Sequence, residues 1–358
     1  MAVAEVPLQQ AAPTSAAAPT ALRQLRRYFL ALAAASLAAF VLSVENRFTL
    51  GGLFSFPLQV DWLPPMSADR WLYSFVLHQQ DPLFAACGGS ESIEDYRILY
   101  WWEWLRRLSL VVLTAVTLTG LVAGAITPAW RFTLPRLIGL IALAALFAVA
   151  GSAVERIVSY LPALSRYNVG QYRHAADVIF ASIALAAVFA SVARPPRPPA
   201  APRIVNRAGW LWIALIGLDI GFGALVSARD GAKVWPTWPG YANGAFPPLE
   251  QLAAYSPPWL NLAWNPYTIQ LVHRALSDAL WIAALAYLGW ALWRNAAAAR
   301  NALMMFALTS AQMAAGVATL WLKVPAALSI AHQIGGVVLL AWAFASLRPN
   351  ATLRPSPA

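Results

Sequence analysis

The sequence predicts an all-α membrane protein whose eight transmembrane helices form two pseudo-symmetric four-helix bundles. Three observations lead there. Of 358 residues, 60% are hydrophobic and 11% charged, too little charge for the surface of a soluble protein of this length. The apolar residues gather into eight runs, at 27–45, 102–126, 134–152, 172–193, 208–227, 267–293, 301–322 and 325–346, and about 20 helical residues cross a bilayer. The runs lack the alternation of barrel strands, which leaves helices as the way to satisfy every backbone group in lipid.

In chain order, residues 1–26 read as a disordered cytoplasmic tail. Residues 1–22 are polar and rich in Ala and Pro, with neither a cleavable signal peptide nor the arginines of a transit peptide. The first four runs make an N-terminal bundle, 27–193. The Arg/Pro-rich stretch 194–207 is a cytoplasmic linker, 208–346 the C-terminal bundle, and 347–358 a second cytoplasmic tail. Each half opens with one helix, passes through a long loop (46–100 and 228–266) and adds three closely connected helices, the layout of tandem bundles. Those loops hold the proline-dense WLPPM and VWPTWPG and read as ordered lids. Trp101, Trp102, Trp235, Trp238, Trp259 and Trp264 sit at run ends as interfacial anchors.

The net charge of +10 reports topology and not a nucleic-acid partner. Arg23, Arg26 and Arg27, Arg131 and Arg136, Arg194, Arg197, Arg203 and Arg207, Arg294 and Arg300, and Arg348 and Arg354 all fall on one side of the membrane. Short arginine-rich loops stay cytoplasmic, so both termini are expected there, in the cell (inner) membrane. Cys87 is the only cysteine, which excludes an intrachain disulfide and a cysteine metal site.

The halves also match locally. WWEWLRRLSL over TIQLVHRALSD sets Glu103 on Gln270, Arg106 on His273 and Arg107 on Arg274. YRHAADVIF over LSIAHQIGG sets Asp177 on His332 and His174 near Ser329.

Ionisable groups inside a membrane are costly and are functional candidates by default. The four histidines are His78, His174, His273 and His332. His273 lies seven residues after Pro266, and His332 seven after Pro325. At 1.5 Å per residue both imidazoles sit roughly 10 Å below the same surface. Two level imidazoles across a bundle suit the axial positions of haem iron. A closed zinc site wants four ligands. One intramembrane histidine alone is more often a packing residue; two at one depth favour haem. Arg274 reads either as a partner for a haem propionate or as an arginine snorkelling to the headgroups. Gln270, Gln312 and Gln333 are supporting polar groups or interhelical hydrogen-bonders. A secondary transporter would break its helices at mid-membrane, whereas the prolines here lie in loops and at helix starts.

These motifs resemble the haem A synthase family, which converts haem O to haem A. The likeness runs from about Glu45 to Ser346. NPYTIQLVHR (265–274), QMAAGVATL (312–320), the AHQ at 331–333 and GALVSARDGAKVWPTWPG (223–240) carry it in the second half. DWLPPMSADRW, YRILYWWEWLRR and VGQYRHAAD carry it in the first. The resemblance implies an oxidoreductase of haem A biosynthesis for cytochrome oxidase, oxidising a haem O methyl group to formyl. It implies a haem b cofactor between His273 and His332, and a substrate half in the N-terminal bundle with Glu103 as its catalytic residue. Candidate partners are haem O, membrane lipid, haem O synthase, cytochrome oxidase assembly proteins and a second copy of the chain.

The chain departs from the family at two positions: Arg106 and Asp177 stand where the family has histidine ligands. Arginine cannot ligate iron, because it stays protonated. Two readings follow. Either His174 and His78 take over at the substrate site, or Arg106 and Asp177 form an ion pair that fills it. In the second case the chain is a non-enzymatic haem b-binding protein of electron transfer or haem handling.

Overall fold

The computed structural model describes residues 17–49, 60–80, 92–159, 169–193, 207–241, 244–294 and 298–346. Among them the regular elements are helices, with no strand: α1 (Ala17–Thr49), α2 (Ala68–Gln79), α3 (Ile93–Ile126), α4 (Leu134–Ser159), α5 (Val169–Ala193), α6 (Arg207–Ala228), α7 (Leu249–Leu252), α8 (Leu260–Trp264), α9 (Pro266–Trp293), α10 (Ala299–Trp321) and α11 (Ala326–Ser346). Six are long and apolar enough to cross a membrane: α1, α3, α6, α9, α10 and α11. In α4 and α5 the apolar stretches found among the described residues are shorter, Leu134–Leu146 and Val178–Phe189.

Helix starts differ from the apolar runs, for local reasons. α1 opens at Ala17, so residues 17–26 of the expected tail are helical. Ala, Leu, Arg and Gln there are strong helix formers, and Pro19 falls in the first turn, where its missing N–H costs nothing. Residues 1–16, 194–206 and 347–358, parts of the expected tails and linker, lie outside the described residues. α3 opens at Ile93 behind a capping box. Ser92 Oγ accepts from Asp95 N (3.1 Å), and the Asp95 carboxylate accepts from Ser92 N (3.1 Å), which satisfies two orphan donors at the helix start. Within the first long loop Ser67 caps the short helix α2.

Packing follows the chain order. α1 contacts α3 and α5, and α4 contacts α3 and α5. α6 contacts α9 and α11, and α10 contacts α9 and α11. The halves meet where α5 lies against α6 and α11. One buried cluster spans that junction, with Phe40, Leu185, Ile216, Leu280, Met305 and Val337. A second, with Leu25, Phe29, Leu32, Leu137 and Val188, holds α1 to α4 and α5. Many large apolar side chains point outward, including Leu118, Val122, Ile138 and Ile282, as lipid-facing surfaces require.

A tight turn joins α10 to α11. Lys323 (φ 60°) and Val324 (φ 62°) are both left-handed, a strained conformation for residues other than glycine. Val324 N donates to Thr319 O at 2.8 Å, and Pro325 then leads straight into α11. The turn returns the chain at the end of the bundle where α3 and α9 begin, here termed the loop-covered end.

Candidate functional site

Asn265 fixes the start of α9. Its side-chain oxygen accepts from Tyr267 N (3.0 Å), and its amide donates to Gln251 O (2.6 Å) and Asn261 Oδ1 (3.1 Å). Two turns further on, His273 faces α11. The tight turn before α11 brings His332 to the same level. Their ring centroids stand 6.3 Å apart, with planes at 76°.

Each imidazole is held by the long helix that precedes its own, α6 for His273 and α10 for His332. His273 Nδ1 lies 3.1 Å from Asp219 O and 2.8 Å from Asp219 Oδ1, both on α6. His332 Nδ1 lies 3.1 Å from Gln312 O on α10, and Gln312 Nε2 donates to His332 O at 2.8 Å. Carbonyl oxygens only accept, so Nδ1 carries the proton and the Nε2 lone pair is left for ligation. Glycines let the rings approach the backbone. A Cβ at Gly223 would stand 3.1 Å from His273 Cε1, and one at Gly316 2.9 Å from His332 Cε1. Asp219 and Gly223 on α6 thus correspond to Gln312 and Gly316 on α10.

The pair fits haem. Two imidazole nitrogens each about 2 Å from a shared metal put ring centres roughly 6 Å apart. A cavity of about 380 Å³ adjoins the rings, lined on its apolar side by Ile220, Ala224, Met313, Val317 and Leu339. Among the described residues no cluster of three His, Cys, Asp or Glu side chains is placed to hold a metal ion. The donor set suits a metal that brings its own equatorial ligands. Arg274 also lines the cavity and is 7% exposed, so it does not snorkel to headgroups. Nη2 donates to Pro239 O (2.9 Å) and Gly240 O (3.2 Å), and the guanidinium stacks on Tyr241 at 4.1 Å. Its Nη1 is buried without an acceptor, the kind of orphan that a ligand carboxylate satisfies.

The loop after α6 is clamped over α9, as an ordered lid should be. Gln270 Nε2 donates to Trp235 O (3.1 Å). Trp235 is buried between Tyr241 and Tyr267, with ring centroids at 5.1 and 5.0 Å. Arg229 Nε donates to Trp264 O (3.1 Å) while its guanidinium stacks on the Trp264 ring at 3.8 Å.

The first half repeats the clamp but not the histidine. Arg107 Nη1 donates to Val60 O (2.9 Å), Trp104 Nε1 to Trp62 O (3.0 Å), and Asp61 N to the Tyr100 hydroxyl (3.1 Å). Arg107 therefore ties down the preceding loop as Arg274 does. Glu103, 1% exposed, accepts from Arg106 Nε (2.8 Å) and Nη2 (2.6 Å) and from Arg107 Nε (2.9 Å). Arg106, at the position matching His273, is thus committed to Glu103. His174 and Asp177 lie on α5, but their side chains are outside the described residues. The ion pair expected between Arg106 and Asp177 falls there too. His78 on α2 stacks on Tyr96 (5.0 Å, 27°), two helical turns from Glu103 toward the loop-covered end.

Sequence reading passes over Asp219, Ser277 and the two glycines. Ser277 Oγ donates to both Asp219 carboxylate oxygens at 3.1 Å. The signal was present: an acid in the middle of an apolar run is itself a mark of function.

Residues 57–344 match the family described as cytochrome oxidase assembly protein. The chain is 32% identical to Heme A synthase of Azorhizobium caulinodans over 92% of this chain and 94% of the relative. It is 31% identical to Heme A synthase of Sinorhizobium fredii, over 94% and 92% of the two chains. It is 31% identical to Heme A synthase of Rhodospirillum centenum, over 95% and 92%. With that coverage, and with the motifs at their expected places along the helices, the chain belongs to the cytochrome oxidase assembly protein family of the haem A synthases.

Proposed function

We propose that this protein acts in haem A biosynthesis as a haem b-binding oxidoreductase of the haem A synthase type. It is built as eight spans in two four-helix bundles, with both termini cytoplasmic in the cell (inner) membrane. The observation that carries this reading is the facing pair His273 and His332, each imidazole tied through Nδ1 to a neighbouring helix. The ring of mutual contacts among α6, α9, α10 and α11 supports a C-terminal bundle around that pair. His273 and His332 would hold the iron, and the free Nη1 of Arg274 would take a propionate. Bound there, haem b supplies one-electron chemistry.

The substrate half is the N-terminal bundle. Turning a haem O methyl group into formyl takes an oxygen atom from water and releases four protons and four electrons (R–CH3 + H2O → R–CHO + 4 H+ + 4 e−), so an electron acceptor takes part. Glu103 is the residue suited to receive a proton from the reacting carbon, with His174 and His78 as candidate substrate-site groups.

One observation favours a second reading. Both oxygens of Glu103 already accept from guanidiniums, and Arg106 occupies a ligand position. The alternative is a non-enzymatic haem b protein of electron transfer or haem handling, working beside haem O synthase or oxidase assembly proteins.

Pigment extraction with mass analysis tests the core of the proposal. Purified wild type should contain haem b, and His273→Ala and His332→Ala should each lose it. A wild type free of haem would sink both readings. Haem O supplied with a reductant and an oxidant then separates them: appearance of haem A supports the synthase, and unchanged haem O the carrier.

A further inference from the structure

The two imidazoles are supported alike in every respect but one. Each Nδ1 donates to a backbone carbonyl at 3.1 Å, and each ring rests over a glycine. The residue whose carbonyl accepts is Asp219 for His273 and Gln312 for His332. Only His273 therefore also meets a carboxylate, at 2.8 Å, while the Gln312 amide turns away to His332 O.

We infer that Asp219 is a positioning residue for His273 that makes the two axial ligands unequal and holds down the midpoint potential of the bound iron. The inference rests on the haem-binding reading above.

Two physical effects act in the same direction. A carboxylate on the Nδ1 proton draws that proton away, which makes Nε2 a more basic ligand and favours the ferric ion. A carboxylate deep in an apolar bundle also needs a compensating positive charge. Ferric iron on the far side of the His273 ring supplies it, and reduction to ferrous iron removes it. Ser277 Oγ, bonded to both carboxylate oxygens, shares the negative charge and moderates the effect. Asp278 also lines the cavity and provides a comparison, since it carries the same charge in the same cavity.

The test is a redox titration of the full-length, detergent-purified protein, following the reduced haem band in wild type, Asp219→Asn, Asp219→Glu, Ser277→Ala and Asp278→Asn. Asp219→Asn should keep the haem and raise the midpoint potential. Asp219→Glu should return it toward wild type. Ser277→Ala, which concentrates charge on the carboxylate, should lower it. Should Asp219→Asn shed its haem, the Ser277→Ala titration decides alone. An unchanged Asp219→Asn potential, an equal rise in Asp278→Asn, or an unchanged Ser277→Ala after haem loss in Asp219→Asn would overturn the inference while leaving haem binding intact. Wild type that purifies without haem would instead remove the reading on which it rests.

Discussion

At the scale of single residues, the histidines depend on what they lack as neighbours. His332 has its Nδ1 fixed to Gln312 O, and its Cε1 would stand 2.9 Å from a Cβ at Gly316. A pinned ring cannot swing aside as a loose side chain would, so Gly316→Ala must shift the imbalance into the imidazole or into α10. The matching distance at Gly223 is 3.1 Å, which a few tenths of an ångström of movement relieves. Gly316→Ala is therefore expected to lower haem occupancy several-fold and Gly223→Ala by less, read from the ratio of reduced-haem absorbance to protein. Equal effects would mean that the two rings are equally free to move. This asymmetry is invisible in the sequence, where both glycines simply look like small residues that let helices approach.

At the scale of elements, the site depends on how α9 begins. Asn265 caps the helix, and its amide also holds Gln251 O and Asn261 Oδ1, which ties the segments of α7 and α8 to the first turn of α9. Asn265→Ala removes the cap and strands the Gln251 carbonyl, while Asn261 Oδ1 keeps its bond from Tyr255 N, a loss of about 1–3 kcal/mol. The apparent melting temperature should fall, and haem should dissociate faster because the start of α9 sets the position of His273. An unchanged melting temperature would show that the loop segments are held by other contacts. The same element shows what the sequence does and does not disclose. Asn265-Pro266 announces the start of α9, and counting seven residues from each proline puts His273 and His332 at one level, as found. The apolar run of α3 does not disclose its true start. The capping box at Ser92 and Asp95 starts the helix more than two turns ahead of it, through a stretch interrupted by Glu94, Asp95 and Arg97. Nor does it disclose α2, a short helix within a loop read as a lid. Asp219 escapes for another reason. Its contacts reach 54 and 58 residues along the chain, and they depend on the register of α6 against α9, which one sequence does not specify.

At the scale of the whole molecule, the internal repeat makes a stronger claim than either half alone. Arg107 and Arg274 both reach back to a loop carbonyl in the segment before their helix, so the overlay of α3 on α9 has physical content. In that overlay His273 of one half falls on Arg106 of the other. Arg106 is turned to Glu103, and a guanidinium has no lone pair to offer iron. Wild type is therefore expected to carry one resident bis-histidine haem per chain, and His273→Ala none. The double variant Arg106→His, Asp177→His puts imidazoles at both matched positions of the first half. It also releases Glu103 from one of its guanidiniums. That variant should gain a second resident haem, raising the extracted haem-to-protein ratio from about one toward two, with a second transition in the redox titration. Adding His273→Ala to it should leave the new haem in place, because the two pairs sit on different helices, α3 and α5 in one case and α9 and α11 in the other. A wild type that already yields two bis-histidine haems would contradict the assignment of Arg106. A double variant that stays at one haem would mean that the first half has lost more than its ligands.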